Sequence, residues 1–166
     1  MKVMSIGLSL LFALTPMGCC PCLNLVEGQH HDSQVLQIYM HTGYRDEIDS
    51  FQGFLQKDLV SDTVRIPFWF TTREQEIILS KLERSRFFSF PDTIHAEPDV
   101  TESPNGGAQI LRVKYADKDK AVVWFYPPER SSKFFSLVLA IRNLIYDIAV
   151  SRPEYKALPQ PKAGYQ

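Results

Sequence analysis

With 166 residues, of which 45% are hydrophobic and 12% aromatic, the chain is long enough for one domain with a substantial core. Its 18 Lys and Arg against 19 Asp and Glu leave a formal net charge of −1 with no basic stripe, which argues against nucleic acid as a partner. All 3 cysteines fall between positions 19 and 22, so the remainder contains no disulfide and depends on apolar burial alone.

The chain begins with Lys2, an apolar run from Val3 to Leu14 and the break Thr15-Pro16-Met17-Gly18. A membrane-spanning helix needs roughly 18 or more apolar residues, whereas Pro16 closes this run after about a dozen, the length of a signal-peptide core. Export is therefore expected, with residues 1–18 as the signal peptide. The same window resembles the signal of bacterial lipoproteins, in which a small residue precedes a cysteine that is acylated and becomes the new N-terminus. Gly18 and Cys19 match that pattern. Pro16 and Met17 depart from it, since Leu and then a small residue usually stand there. The resemblance implies lipidation at Cys19 and an anchor in the cell envelope. With two membranes it implies the outer one, because no Asp follows Cys19. A secreted or periplasmic soluble form is the alternative.

Residues 19–33 are expected to be a lipidated tether. Cys19-Cys20-Pro21-Cys22 has the C-x-P-C spacing of redox sites, but such a site needs a helix N-terminus to lower the thiol pKa, and Leu23 to Asp32 has no helical periodicity. Zinc binding by these thiols with His30 and His31 is set aside for the same tether reading.

Residues 34–152 are expected to form a single domain. Val35 to Met40 reads as a first strand, broken by Thr42-Gly43-Tyr44, and Phe51 to Leu55 as a second. Val64, Ile66, Phe68 and Phe70 alternate with Thr63, Arg65, Pro67 and Trp69 in a third, where Pro67, which has no N–H to donate, points to a sheet edge or a bulge. Thr71-x-x-Glu74 and Thr72-x-x-Gln75 both fit a capping box opening a helix. Ile77, Ile78 and Leu82 are its expected inward face, and Lys81, Arg84 and Arg86 stand near its end, as the macrodipole favours. Phe87, Phe88 and Phe90 lead to the stop at Pro91 and are expected to plug the open end of the core.

Asp92 to Gly107 reads as a surface loop. Its His95, Glu97, Asp99 and Glu102 lack the oxygen spacing that wraps calcium. Ile110 to Tyr115 and Ala121 to Tyr126 form a hairpin across Ala116-Asp117-Lys118-Asp119. Trp124 and its neighbours form either a strand covered on both faces or an aromatic stripe for a partner, and Trp69, Trp124 and Tyr126 are the candidate partner surface. Phe134, Leu137, Val138, Ile141, Leu144, Ile145 and Ile148 recur at three- and four-residue spacing, the face of a helix capped by Ser131 or Ser132 and ended by Pro153. Its polar face carries no excess of Lys or Arg, so packing on the sheet is expected rather than a membrane surface. Residues 153–166, with Pro159 and Pro161, read as a trailing tail.

The order strand-strand-helix, twice, describes an α+β protein: a two-layer sandwich, antiparallel sheet with two helices on one face. That order, the Phe-Phe-x-Phe-Pro helix end and the Gly-rich loop before the second hairpin are similar to small secreted inhibitor-type domains, including the emfourin metalloprotease inhibitors, and to several uncharacterised lipoprotein domains. The likeness covers about residues 35 to 150. It implies a protein-binding or inhibitor-like role and assigns no residue.

The sequence contains none of G-x-S-x-G, H-E-x-x-H, S-x-x-K, G-x-x-x-x-G-K-[ST] or G-x-G-x-x-G, each of which places reactive groups by fixed spacing. His41 with Asp46 or Glu47 has the composition of an oriented base, but no nucleophile is marked beside it. No catalytic residue, cofactor or metal is therefore expected. The expectation is a membrane-tethered envelope protein that binds an envelope or exported protein. A small-ligand binder with a pocket between sheet and helices is the alternative, and a hydrolase comes third.

Overall fold

The computed structural model describes residues 35–42, 44–95, 107–125 and 132–161, all within a compact unit spanning Asp32–Gln166. Cys19, Cys20, Cys22, His30, His31, Glu97, Asp99, Glu102 and Tyr126 lie outside the described residues. The protein is α+β. Strands β1 (Gln37–His41), β2 (Glu47–Asp49), β3 (Phe54–Asp58) and β4 (Thr63–Pro67) precede helix α1 (Thr72–Ser85) and a 3-10 turn at Phe87–Ser89; β5 (Thr93–Ile94), β6 (Gln109–Tyr115) and β7 (Lys118–Trp124) precede α2 (Lys133–Ser151) and α3 (Pro153–Lys156).

The seven strands form one sheet in the order β4-β3-β2-β1-β6-β7-β5. Register aligns one apolar residue from each of six strands: Ile66 opposite Leu55, Leu55 opposite Ile48, Ile48 opposite Met40, Met40 opposite Leu111 and Leu111 opposite Val122. Because successive strand side chains alternate between faces, this file commits one whole face to the core. Ile78 and Leu82 of α1, and Val138, Ile141, Ile145 and Ala149 of α2, belong to the same buried cluster. The other face is polar and aromatic. Arg65 lies 4.2 Å over the Phe54 ring and Arg112 5.0 Å over that of Phe51, so each guanidinium covers apolar surface while remaining solvated.

Several expectations are corrected. The sheet is mixed rather than wholly antiparallel, since β5, formed by two residues of the expected loop, pairs parallel with β7. The second expected strand begins at Phe54, not Phe51. Asp49, buried at the end of β2, accepts the backbone N–H of Phe51 (2.9 Å) and of Gln52 (3.0 Å), so its carboxylate turns the chain there. Gly53, at φ 77°, completes the turn in backbone space that favours glycine. The three-residue β2, Glu-Ile-Asp, is too short and too charged to show alternation. Pro67 does mark an edge, because β4 is the outermost strand on its side.

Helix α1 starts where its capping box predicts. Glu74 N–H donates to Thr71 Oγ1 and Thr71 N–H to Glu74 Oε2. Ile77 turns outward, 44% exposed, leaving the inward stripe to Ile78 and Leu82. Phe87 and Phe90 are buried as expected, with Phe90 5.2 Å from Phe134 between ring centroids. Among the described residues α2 is the one helix long and apolar enough to cross a membrane, and Val138, Ile141, Ile145 and Ala149 use that apolarity inside the core. Ser132 is its N-cap residue, without a side-chain cap bond. Pro153 ends α2, yet the chain does not trail away. It opens α3 at the position where a missing N–H costs nothing, and Tyr155 and Leu158 pack against the core.

Leu111→Ala removes a fully buried side chain from the middle of the apolar file and should cost about 2–5 kcal/mol, whereas Thr71→Ala, which removes only a cap, should cost about 0.5–2 kcal/mol. Denaturant midpoints of the two variants check both the size and the order.

Candidate functional site

The C-terminal end of α2 and the turn of α3 border a crevice against β2, β3 and β4. It has three recesses, all lined by Tyr155. The first, ≈ 120 Å³, is bounded by Leu55, Ile66, Phe68, Trp69, Arg152 and Glu154. The middle one, ≈ 10 Å³, has room for about one water. The third, ≈ 350 Å³, is bounded by Asp46, Lys57, Asp58, Tyr146, Lys156 and Gln160.

Arg152 builds the Trp69 end. Its guanidinium donates to both carboxylate oxygens of Glu74 and to the Trp69 carbonyl (2.9 Å), and lies 4.4 Å over the Phe68 ring. One side chain at the end of α2 thus fastens the start of α1 and the segment after β4. Trp69 remains 62% exposed. Its indole lies flat against Gly53, where any added Cβ would overlap the ring. An exposed tryptophan with its carbonyl gripped and its ring seated has little freedom left to lose on binding. Burial works to raise the Glu74 carboxyl, but hydrogen bonds from Arg152 and Thr71 outweigh it and hold the group below its ordinary value.

The third recess is polar. Lys57, only 5% exposed, places its ammonium 4.9 Å from the centre of the Tyr155 ring. The Tyr155 and Tyr146 hydroxyls are 3.5 Å apart. Burial first, then the Tyr146 hydroxyl, push the Tyr155 phenol far above its usual range, so it remains a neutral hydroxyl. Asp46 Oδ1 accepts the Asp58 backbone N–H at 2.7 Å. Burial raises the Asp46 carboxyl, a push that this hydrogen bond only partly opposes. Asp58 is claimed by Arg45 Nη2 at 2.9 Å and by the Val60 N–H at 2.8 Å. Val60 is a β-branched residue at φ 72°, a strained conformation, and Arg45 also donates to its carbonyl. The Arg45–Asp58 pair therefore holds a strained loop beside the recess.

A second groove of ≈ 560 Å³ runs along α1 and the β6–β7 turn, lined by Leu79, Leu82, Glu83, Arg86, Phe88, Ser89, Tyr115 and Lys118. Lys118 lies 5.4 Å over the Phe88 ring there, and the walls divide evenly between apolar or aromatic and polar side chains.

The crevice brings together residues that sequence reasoning did not. Trp69 stands at its edge, whereas Trp124 is fully buried in the core and offers no surface to a partner. His41 lies opposite Glu47 in the β1–β2 ladder, which brings one of the two histidine–carboxylate pairs together, while Asp46, the other carboxylate, lines the crevice. His95 is exposed after β5. Among the described residues no group of three or more His, Cys, Asp or Glu side chains is placed to hold a metal ion. Lys57, Tyr146, Arg152 and Tyr155 were missed. Lys57 had a signal, since it stands two residues after Leu55 in an inward position, a place where lysine is unusual. Pro153 followed by Glu154 and Tyr155 was also readable as a helix start. No protein-family model matches the chain, and no curated protein matches it.

A carboxylate whose folded pKa is depressed contributes stability that is present above its unfolded pKa and is lost as pH falls through the folded one. Glu74→Gln should thus flatten the loss of stability from about pH 5 downward relative to the parent. Urea midpoints between about pH 3 and 7 check this, and parallel curves for the two proteins would remove Glu74 as a source of acid lability.

Proposed function

We propose that this protein is a binding module of a bacterial cell envelope, tethered through a lipid on Cys19, that captures an envelope or exported protein in the manner of the inhibitor-type domains that the sequence pattern over about residues 35 to 150 resembles. The observation that carries the reading is Trp69, a large aromatic side chain 62% exposed and yet held by Gly53 beneath its ring and by Arg152 at its carbonyl. Rigid exposed tryptophans beside a recess are the usual energetic centres of protein interfaces. The adjoining β4 adds a strand whose outer side pairs with no other strand among the described residues, suited to an extended segment of the partner. A two-layer arrangement, with both helices on one face, fits this reading; its support is that the buried residues of α1 and α2 join the cluster formed by the apolar file. A small-ligand binder is the second reading, favoured by the recess at Lys57 and Tyr155.

Affinity capture from cross-linked envelopes, compared among the parent chain, Trp69→Ala and Cys19→Ala, tests the proposal. The expected result is a specific protein recovered with the parent and reduced roughly tenfold or more with Trp69→Ala. Cys19→Ala should shift the protein out of the membrane fraction and lose the mass of the acyl chains. An unchanged set of partners with Trp69→Ala would overturn the docking surface, and unchanged membrane attachment of Cys19→Ala would overturn the anchor.

A further inference from the structure

We infer that the ≈ 350 Å³ recess at Lys57 is a binding site for a compact oxyanion group, a carboxylate or a phosphate. The inference rests on the small-ligand reading of the crevice and does not need the Trp69 surface.

A lysine buried to this degree keeps its aliphatic stem in the core and brings its ammonium to the recess wall, where a counter-charge is favoured. Lys57 is 5% exposed, and among the described residues no acceptor hydrogen-bonds its Nζ and no carboxylate stands within ion-pair distance; its neighbour is the Tyr155 ring. Both carboxylates of the recess already accept hydrogen bonds, and the Lys57 charge acts on Asp46 through space without contact. Asp58 is tied to Arg45 and to the Val60 N–H, and Asp46 to the Asp58 N–H. Burial also disfavours the charged form of Asp46. The remaining polar residues that line the space carry donors: Lys57 and Lys156, the Tyr146–Tyr155 hydroxyl pair, of which one proton is used between them, and Gln160. Lysine acts as a point charge and so does not demand a planar, two-pronged acceptor. A single terminal oxyanion satisfies the Lys57 ammonium and one hydroxyl together, while a cation would leave both without an acceptor. The volume is at the lower end of the range for ligand sites, which suits a small molecule or the charged end of a larger one.

The test is titration of the full chain with inorganic phosphate, with succinate and with ethylammonium, followed by NMR through the Lys57 and Tyr155 signals. Phosphate or succinate should move these signals saturably, and whichever binds more tightly identifies the source of the oxyanion. Lys57→Met, which keeps most of the stem and removes the charge, should weaken binding roughly tenfold. If Lys57→Met does not fold, Tyr155→Phe with Lys156→Ala should weaken binding by a similar factor. Equal oxyanion binding by these variants overturns the site. Movement with ethylammonium and not with the oxyanions overturns the ligand class but keeps the small-ligand reading, and no movement with any of the three removes both.

Discussion

The file Ile66, Leu55, Ile48, Met40, Leu111 and Val122 is the contact on which the rest of the structure depends. Several strands are short, β2 with three residues and β5 with two, and ladders of that length are marginal alone. One continuous apolar row across six strands makes their registers interdependent, since a one-residue slip would turn an apolar side chain to the other face and, in β2, place Glu47 or Asp49 in the core. Burial across the row also gives α1 and α2 the apolar cluster to which their inward residues belong.

Arg152 depends on that arrangement and extends it. It stands at the end of the longest helix and reaches the first turn of α1, the Trp69 carbonyl and the Phe68 ring. Its charge is partly buried, so each grip is worth more than a surface ion pair, and the loss of Glu74 would leave a poorly solvated guanidinium. The same clamp brings α3 to the sheet and makes Tyr155 the common wall of the crevice. Stability and the candidate site are therefore coupled: what closes the domain also shapes the recess at Lys57 and the seat of Trp69.

The crevice has two chemically different ends. At one, an aromatic ring is presented on a fixed backbone; at the other, the Lys57 ammonium and two tyrosine hydroxyls line a small volume beside Asp46 and Asp58. A binding module needs such fixed donors and anchors and does not need a nucleophile. The recesses at the two ends share Tyr155 in their walls.

The sequence by itself determined the elements whose signals are local. The capping box at Thr71 and Glu74, the β6–β7 hairpin, the long periodicity of α2 and the edge placement of Pro67 each follow from backbone chemistry within a few residues. It also determined the composition of the leader, from which export and lipidation at Cys19 are proposed. Tertiary structure alone decided what depends on distant partners. The start of β3 shifted because the Asp49 carboxylate turns the chain, and β5 exists because two loop residues find the free edge of β7. Trp69 and Trp124 look alike in sequence, yet one is seated at the surface and the other is sealed in the core. Lys57, Tyr146, Arg152 and Tyr155 converge from β3, α2 and the segment beyond it, so no spacing in the chain announces the site they form. Local hydrogen bonding writes itself into neighbouring residues, whereas burial and charge pairing are properties of the assembled fold.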